Sequence, residues 1–215
     1  MTRTGKLLAE LIALPSVNPA FIPQSGTTAR PARYYGEKSV ADFLATVAAR
    51  AGLEVEFQKV DFEGWGETPS SPNFQSGLER LSPHRNVRSN IIARLLPPGK
   101  IRQTILLAPH LDTVNADDSQ FVPRRKNGRL YGRGACDTKG SVAAMLTALC
   151  ELANTKSRPQ ETEIVFAGLV DEENAQAGSR AFVGQASRLS PFFKKGIDRR
   201  DACPTALAIV GEPTR

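Results

Sequence analysis

Three short apolar runs in the chain each end in histidine or acidic residues. The runs and their polar ends are 105–107 with His110 and Asp112, 164–170 with Asp171, Glu172 and Glu173, and 207–210 with Glu212. Runs of this length and aliphatic content are typical of buried strands. The sequence therefore predicts a sheet whose strand ends carry the polar side chains.

Helical periodicity alternates with these predicted strands along the chain. Helices are predicted over 6–13, 37–51 and 140–153, and strands over 53–60, 89–95, 104–108, 163–169 and 206–210. Such alternation is typical of an α/β layer structure. A stretch rich in Gly, Pro, Ser and Asn, residues 62–85, predicts a long surface loop that contains His84.

The polar strand ends are expected to meet at one place, because ligands of open α/β sheets bind beyond the carboxyl ends of the strands. Asp137, just before a predicted helix, adds a fourth group. Carboxylates this close together repel one another, and burying each would cost several kcal/mol unless its charge were neutralised. One or two divalent cations would neutralise them, and one histidine with carboxylates suits zinc, cobalt or manganese.

His110 and Asp112 are two positions apart, and side chains at this spacing in extended backbone point the same way. A carboxylate so placed can hold one ring nitrogen of a histidine while the other nitrogen binds a metal. Each polar group alone has a simpler interpretation. Residues 171–173 could be a solvated turn, Asp137 a helix N-cap, and Glu212 a loop residue before proline. Their joint position at strand ends favours the metal site.

Other functions are less well supported by the sequence. The net charge is +6, but the basic residues are dispersed and form no nucleic-acid-binding module. No apolar run approaches the roughly 18 residues of a membrane span, so a cytoplasmic protein is expected. Three scattered cysteines make no disulfide framework. Cys136 with His110 could be a thiol nucleophile and its base, but the nearby acidic residues would raise the pKa of the thiol.

Four motifs in order give the chain a family resemblance. They are His-Leu-Asp-Thr-Val at 110–114, Gly-Arg-Gly-Ala-Cys-Asp-Thr-Lys-Gly at 132–140, Asp-Glu-Glu at 171–173 and Gly-Glu-Pro-Thr at 211–214. Together they resemble the zinc amidohydrolases and metallopeptidases typified by acetylornithine deacetylase, succinyl-diaminopimelate desuccinylase, aminoacylase and glutamate carboxypeptidase. The resemblance runs from the first helix to Glu212 and covers residues 62–85 least. It implies a mixed, mostly parallel sheet flanked by helices, as in zinc exopeptidases.

The resemblance also implies a role for each matching residue. His110 and Glu212 would bind one zinc, Glu173 the other, and Asp137 would bridge both, with a cis peptide bond to Thr138. Asp112 would orient His110. Glu172 would be the general base that takes a proton from a metal-bound water and passes it to the leaving amine. The implied reaction is cleavage of an amide bond of an N-acyl amino acid or small peptide, with no nucleic acid or membrane as partner.

Two features depart from the family pattern. The chain ends three residues after Glu212, and no histidine follows His110. The resemblance implies a further lid and dimerisation domain, followed by a return that supplies a distal histidine. Residues 1–215 are therefore expected to be the N-terminal portion of a catalytic domain, with a weak second metal position and little activity alone. The complete enzyme would be a homodimer. The alternative is a non-catalytic half-domain that binds a metal or a partner.

Overall fold

The structure is a computed structural model that describes residues 1–21, 34–62, 88–186 and 205–212. The strands in these ranges are β1 (Glu54–Lys59), β2 (Ser89–Leu95), β3 (Gln103–Ala108), β4 (Arg124–Lys126), β5 (Arg129–Tyr131), β6 (Thr162–Gly168) and β7 (Thr205–Val210). The α-helices are α1 (Arg3–Ala13), α2 (Lys38–Arg50), α3 (Lys139–Ala153) and α4 (Ala177–Ala186). Short 3₁₀ helices lie at Pro19–Phe21 and Asp118–Phe121.

Five of the strands form a mixed sheet in the order β1-β2-β6-β3-β7, and β4 and β5 form a separate hairpin. β2 pairs antiparallel with β1 and with β6, whereas β3 pairs parallel with β6 and β7. Four strands therefore point the same way and β2 alone runs opposite. This arrangement confirms the predicted mixed, mostly parallel sheet flanked by helices.

The main core lies between one face of the sheet and helices α1, α2 and α3. The sheet contributes Ile91 and Ala93 from β2 and Ile164 and Phe166 from β6, all buried. These residues alternate along their strands because every second side chain of a strand points to the same face. The helices contribute a matching apolar stripe: Leu7, Leu11, Val40, Leu44, Val142, Leu146 and Leu149.

The opposite face of the sheet is packed by α4. Ile92, Val165 and Ala167 form a second buried cluster there, and Phe182 of α4 packs against it. The two layers hold the central strands rigidly, so the loops at the strand ends start from fixed positions. Those loops carry the candidate site.

Every predicted helix and strand is present, with ends within three residues of the predicted ones. One burial pattern differs: the alternation over 53–60 predicts a half-buried strand, yet Phe57 is 49% exposed. β1 is an edge strand, paired with β2 alone among the described strands, so less of it is covered. Helix α4 and the β4–β5 hairpin were not predicted. Cys150 is partly buried and packs against the main core.

Strand β7 occupies the other edge of the sheet. Its apolar side chains Leu207, Ile209 and Val210 are all exposed, and Leu207 is 50% exposed. Within the described ranges no strand pairs with its outer edge.

Two sequence predictions are not addressed by this part of the chain. The predicted loop 62–85, with His84, lies outside the described residues except for Phe62. The division of the chain into an N-terminal catalytic portion without a lid stays a prediction. None of the described helices has the length and apolar character that crossing a membrane requires.

Candidate metal centre

The candidate site lies where the parallel strands β3, β6 and β7 end. His110 and Asp112 follow β3, the Asp171–Glu173 triplet follows β6, and Glu212 follows β7. The register is continuous past the strands, since His110 forms a parallel bridge with Leu169. Strand register thus brings together residues that are about 100 positions apart in the chain.

The imidazole of His110 is the centre of the group. Its Nε2 lies 2.9 Å from Asp137 Oδ1, 3.9 Å from Glu212 Oε1 and 4.0 Å from Glu172 Oε2. The His110 side chain is only 2% exposed, whereas the Asp137 side chain is 51% exposed. The histidine therefore forms the floor of the site and the carboxylates form its open rim.

Five side chains offer ligand atoms close enough to hold a metal ion. They fall into two sets whose atoms lie within 4.8 Å of one another: His110, Glu172 and Glu212, and His110, Asp137 and Glu173. The second set joins Asp137 with Glu173, the pair that the resemblance places on one metal. The first set contains Glu172, which the resemblance assigns as the base, beside His110 and Glu212.

Asp112 lies behind these ligands and is 1% exposed. The Nδ1 of His110 is 3.1 Å from the backbone oxygen of Asp112 and 3.4 Å from its Oδ1. The backbone N–H groups of Glu172 and Glu173 donate to the two carboxylate oxygens of Asp112, each at 3.1 Å. Asp112 therefore contacts the imidazole and also connects the acidic loop after β6, residues 171–173, to the segment that follows β3.

Asp137 is held by a tight turn before α3. Its peptide bond to Thr138 is cis, as the resemblance implies. The hydroxyl of Thr138 donates to the carbonyl of Gly211, which links this turn to the end of β7. Gly134 has a φ of +80°, and a side chain there would meet Thr113 and Lys139. The turn can therefore be this close to β3 only with glycine at 134.

Lys139 anchors the same turn to α1. Its buried Nζ donates to the carbonyl oxygens of Leu11 at 2.8 Å and Leu14 at 2.7 Å. These carbonyls lie at the end of α1, where the last carbonyls of a helix have no N–H four residues further on within the helix. The Leu11 carbonyl also accepts the backbone N–H of Leu14. Burial lowers the pKa of Lys139 to about 7.

Three buried polar residues beside the site were not predicted from the sequence: Asn18, Glu37 and Arg88. Asn18 Nδ2 donates to Asp112 Oδ2 at 2.6 Å and to Asp171 Oδ1 at 3.1 Å. The guanidinium of Arg88 bridges Glu37 and Asp171. Each residue stands alone in the sequence rather than at the end of a recognisable strand. No local feature of the sequence marks these three residues as buried.

Burial and charge crowding at the site shift the pKa values of its groups. Burial alone would lower the pKa of His110, but hydrogen bonds and charges from Asp112, Asp137 and Glu212 raise it to about 9. Burial raises the pKa of Glu173, and the neighbouring carboxylates Asp112 and Asp137 raise it further. The pKa of Glu212 is raised in the same way by burial and by nearby carboxylates. The carboxylates of the site are too close together for all of them to be ionised without a nearby cation.

The donor set fits a divalent cation. A single imidazole with several carboxylate oxygens is the mixed ligation that zinc accepts, and cobalt and manganese accept it also. The hydrogen-bonded Nδ1 of His110 leaves Nε2 directed at the carboxylates, so this nitrogen is the one available to a metal. A positive charge here would relieve the repulsion that raises the carboxylate pKa values.

The thiol alternative gains no support from the geometry. Cys136 is exposed. Its neighbour Asp137, rather than Cys136, contacts the imidazole of His110. A nucleophile and its base should lie within hydrogen-bond reach of each other.

Comparisons with known proteins agree with this geometry. A succinyl-diaminopimelate desuccinylase of Verminephrobacter eiseniae is 35% identical over 220 residues, which is 100% of this chain and 45% of that protein. An acetylornithine deacetylase of Buchnera aphidicola is 32% identical over 148 residues, 66% of this chain and 34% of that protein. This chain thus spans less than half the length of each relative.

The fold is shared with human carnosine dipeptidase 1, whose crystal structure superposes with a TM-score of 0.58 at 20% identity. The match covers 97% of this chain and 38% of that one. The profile of Peptidase family M20/M25/M40 matches residues 106–215, which contain His110, Asp112, Asp137, the acidic triplet and Glu212. This chain therefore belongs to Peptidase family M20/M25/M40.

Proposed function

We propose that this chain carries the metal site of a hydrolase that cleaves an amide bond of N-acyl amino acids or small peptides. The observation that carries the proposal is the set of carboxylates gathered around the Nε2 of one buried histidine. The names of the relatives, a desuccinylase and a deacetylase, support removal of an acyl group from an amino acid.

Zinc is the metal we propose, with cobalt or manganese as substitutes. His110 and Glu212 would bind one ion, Glu173 the other, and Asp137 would bridge the two. Zinc in such a site polarises the substrate carbonyl and makes water a nucleophile at neutral pH. The hydrogen bond from Thr138 to the carbonyl of Gly211 holds the turn that carries Asp137 beside the end of β7, which supports Asp137 as the bridging ligand.

Glu172 is proposed as the general base. Its carboxylate is 4.0 Å from the histidine nitrogen and its side chain is 30% exposed, so it can reach both the site and an incoming substrate. It would accept the proton of the attacking water and pass it to the leaving nitrogen. Asp112 supports both partners, because it contacts Nδ1 of His110 and accepts the backbone N–H of Glu172.

In the ligand assignment that we propose, the two metal positions are unequal. The first would have His110, Asp137 and Glu212, whereas the second would have only Asp137 and Glu173 among the described residues. Two ligands hold zinc weakly compared with the three or four of established protein sites. We therefore propose that these 215 residues alone retain one zinc and turn over little substrate.

A second candidate is a metal-binding module that another polypeptide completes. The exposed edge strand β7, with Leu207, Ile209 and Val210 uncovered, favours this candidate. Exposed apolar strands of this kind pair readily with other chains. Both candidates need His110, but only the hydrolase needs Glu172.

The test is zinc stoichiometry combined with hydrolysis of N-acetyl, N-formyl and N-succinyl amino acids and dipeptides, before and after chelation. It is made on the 215-residue chain and on any longer form of the protein that contains it. Wherever turnover is found, we expect chelation to abolish it and zinc to restore it. Glu172→Gln should keep its zinc and lose about 10²- to 10⁴-fold in kcat.

Exposed Glu10 on α1 provides the matched control, and Glu10→Gln should leave both zinc content and turnover unchanged. Full activity of Glu172→Gln would contradict the assignment of the base. Zinc binding without hydrolysis of any of these amides would favour the metal-binding module. A chain that binds no divalent metal would contradict both candidates.

A further inference from the structure

A buried ion pair lies directly behind the acidic loop. Arg88 precedes β2 and is 2% exposed, and Glu37 precedes α2 and is 1% exposed. The Nε of Arg88 donates to Glu37 Oε2 at 2.9 Å, and its Nη2 donates to Glu37 Oε1. This two-point contact fixes the plane of the guanidinium. The Phe62 ring, 4.7 Å from Arg88 Cζ, covers the guanidinium.

The remaining side of the guanidinium holds Asp171. Nη1 of Arg88 donates to Asp171 Oδ1 at 2.9 Å, and the backbone N–H of Asp171 donates to Glu37 Oε1 at 3.2 Å. The ion pair therefore hydrogen-bonds both the backbone N–H and the carboxylate of Asp171. Asp171 has a φ of +67°, a left-handed conformation that residues other than glycine rarely adopt. Such a conformation persists where surrounding contacts hold it.

This conformation decides where the next two residues lie. The left-handed turn at Asp171 directs the backbone N–H groups of Glu172 and Glu173 at the carboxylate of Asp112. Their side chains extend from this backbone into the group around His110. The position of both carboxylates thus follows from the backbone of the turn.

We propose that Arg88, clamped by Glu37, is a positioning residue that fixes this turn and so sets where Glu172 and Glu173 stand beside His110. The catalytic consequence of this positioning rests on the function proposed above, whereas the position of the two glutamates does not depend on it. The positive charge has a second effect. It lies against the two buried carboxyl groups of Glu37 and Asp171 and offsets one of their two negative charges.

The chemistry of arginine suits this task. Burial alone would lower the pKa of Arg88, but the charge and hydrogen bonds of Glu37, followed by the charge of Asp171, raise it above its ordinary value. The guanidinium therefore stays ionised, and its flat fork contacts two carboxylates at fixed angles. Lysine carries the same charge on a single nitrogen and cannot reproduce that fork. Arg88→Lys therefore separates geometry from charge.

The first test is hydrogen exchange of backbone amides in the metal-free protein. In Arg88→Lys and in Glu37→Gln, the ratio of the exchange rates of the Glu172 and Glu173 amides to that of the Leu53 amide should rise about tenfold. This is the size of effect expected when a contact that supports a ligand is lost. Leu53 is buried and its N–H bonds to Ala48 at the distant end of α2, so it reports on the fold as a whole.

Arg94→Lys is the matched control. Arg94 lies on the same strand β2 and bridges Glu163 and Glu56, but no contact joins it to the acidic loop among the described residues. It should leave the exchange ratio unchanged. If Arg88→Lys and Glu37→Gln speed exchange equally at Leu53 and at the loop, or unfold the chain, Arg88 supports the whole fold and the proposal is overturned. An unchanged ratio overturns it also.

The second test uses the metal. Zinc affinity of Arg88→Lys should fall about 10- to 100-fold, and the visible spectrum of the cobalt-loaded protein should change. Arg94→Lys should alter neither. If the wild-type protein binds zinc but hydrolyses no amide, the proposed function fails while both readouts still test the placement. If affinity and spectrum are those of wild type, the placement proposal fails and the proposed function is untouched.

Discussion

At the scale of single residues, the imidazole of His110 makes metal binding a competition with protons. Its pKa is raised from 6.5 to about 9, with burial opposing and the Asp112 hydrogen bond and charge leading the increase. Below that pH the ring is protonated in the metal-free protein, and Nε2 must lose its proton before it can bind a metal. Zinc affinity should therefore rise about tenfold per pH unit from pH 7 towards pH 9 and then level off.

The measurement is titration calorimetry with zinc at pH 7.5 in two buffers of different ionisation enthalpy. The difference between the two enthalpies should give about one proton released per zinc bound. His84 is the only other histidine, and His84→Gln should leave the proton count unchanged. Affinity that is independent of pH between 7 and 9 would contradict the raised pKa.

Asp112 gives the second prediction at this scale. Its carboxylate accepts N–H groups from both glutamates of the acidic loop and lies beside Nδ1 of His110. Asp112→Asn keeps the size but removes the charge and turns one acceptor into a donor. Zinc should then bind about 10- to 100-fold more weakly, as when the supporting partner of a ligand is removed. Competition with a chromophoric chelator measures this change.

The control for Asp112 is Asp42→Asn on the exposed side of α2, where Asp42 pairs with Lys38. Exposed pairs of this kind contribute at most about 1 kcal/mol. Zinc affinity should be that of wild type in this variant. Equal losses in both variants would mean that the charge of the whole molecule, rather than the contact with His110, governs binding.

At the scale of elements, the turn between β5 and α3 limits what the site tolerates. Gly134 has a φ of +80°, and a Cβ there would lie 2.8 Å from Thr113 Cγ2. Gly52 has a nearly identical φ of +81°, and a Cβ built there would have no atom within 4 Å. An alanine at 52 therefore measures the cost of the backbone conformation without a steric clash. Both alanine variants should lose about 1 kcal/mol or more of unfolding free energy. Only Gly134→Ala should also weaken zinc binding, because its clash displaces the turn that carries Asp137.

Urea unfolding and zinc titration of the two variants test this pair. The difference in unfolding free energy between Gly134→Ala and Gly52→Ala measures the contact with Thr113 and Lys139. Identical zinc affinities would show that the turn relaxes without moving Asp137.

The sequence predicts those elements whose apolar residues recur at the spacing of a strand or a helix. β2 was predicted with its observed ends because the β-branched pair Ile91 and Ile92 lies at its centre and two prolines follow it at 97–98. α4 was missed because Gly178 and Gly184 weaken a helical pattern of only ten residues. The β4–β5 hairpin was missed because its strands have three residues each, although Asn127-Gly128 is a strong turn signal.

The residues of the candidate site could likewise be predicted only where the local sequence places them at the end of a strand. Strand-end residues such as His110 and Glu212 could be predicted, because parallel strands bring their carboxyl ends to one edge. Arg88 and Asn18 could not, because their contacts lie 83 and 94 positions away along the chain. Nothing local in the sequence distinguishes a buried arginine from an exposed one. Only the assembled fold shows which carboxylates it meets.

At the scale of the whole molecule, the site is assembled from nearly every part of the described chain. Asn18 comes from the segment after α1, Glu37 from the start of α2, Arg88 from the start of β2, and the ligands from three strand ends and the turn before α3. A metal that binds this assembly does not find it in the unfolded chain. Metal binding should therefore be coupled to global stability.

Zinc should raise the melting temperature of the protein. A ligand at about 100 times its Kd stabilises the native state by about 2.7 kcal/mol, and in a chain of this size each kcal/mol shifts the melting temperature by roughly 2 to 4 °C. A rise of roughly 5 to 10 °C is therefore expected in a calorimetric scan at pH 7.5 with excess zinc. His110→Ala removes the nitrogen that both ligand sets share and should abolish the rise. A rise that survives in His110→Ala would place the stabilising zinc elsewhere in the chain.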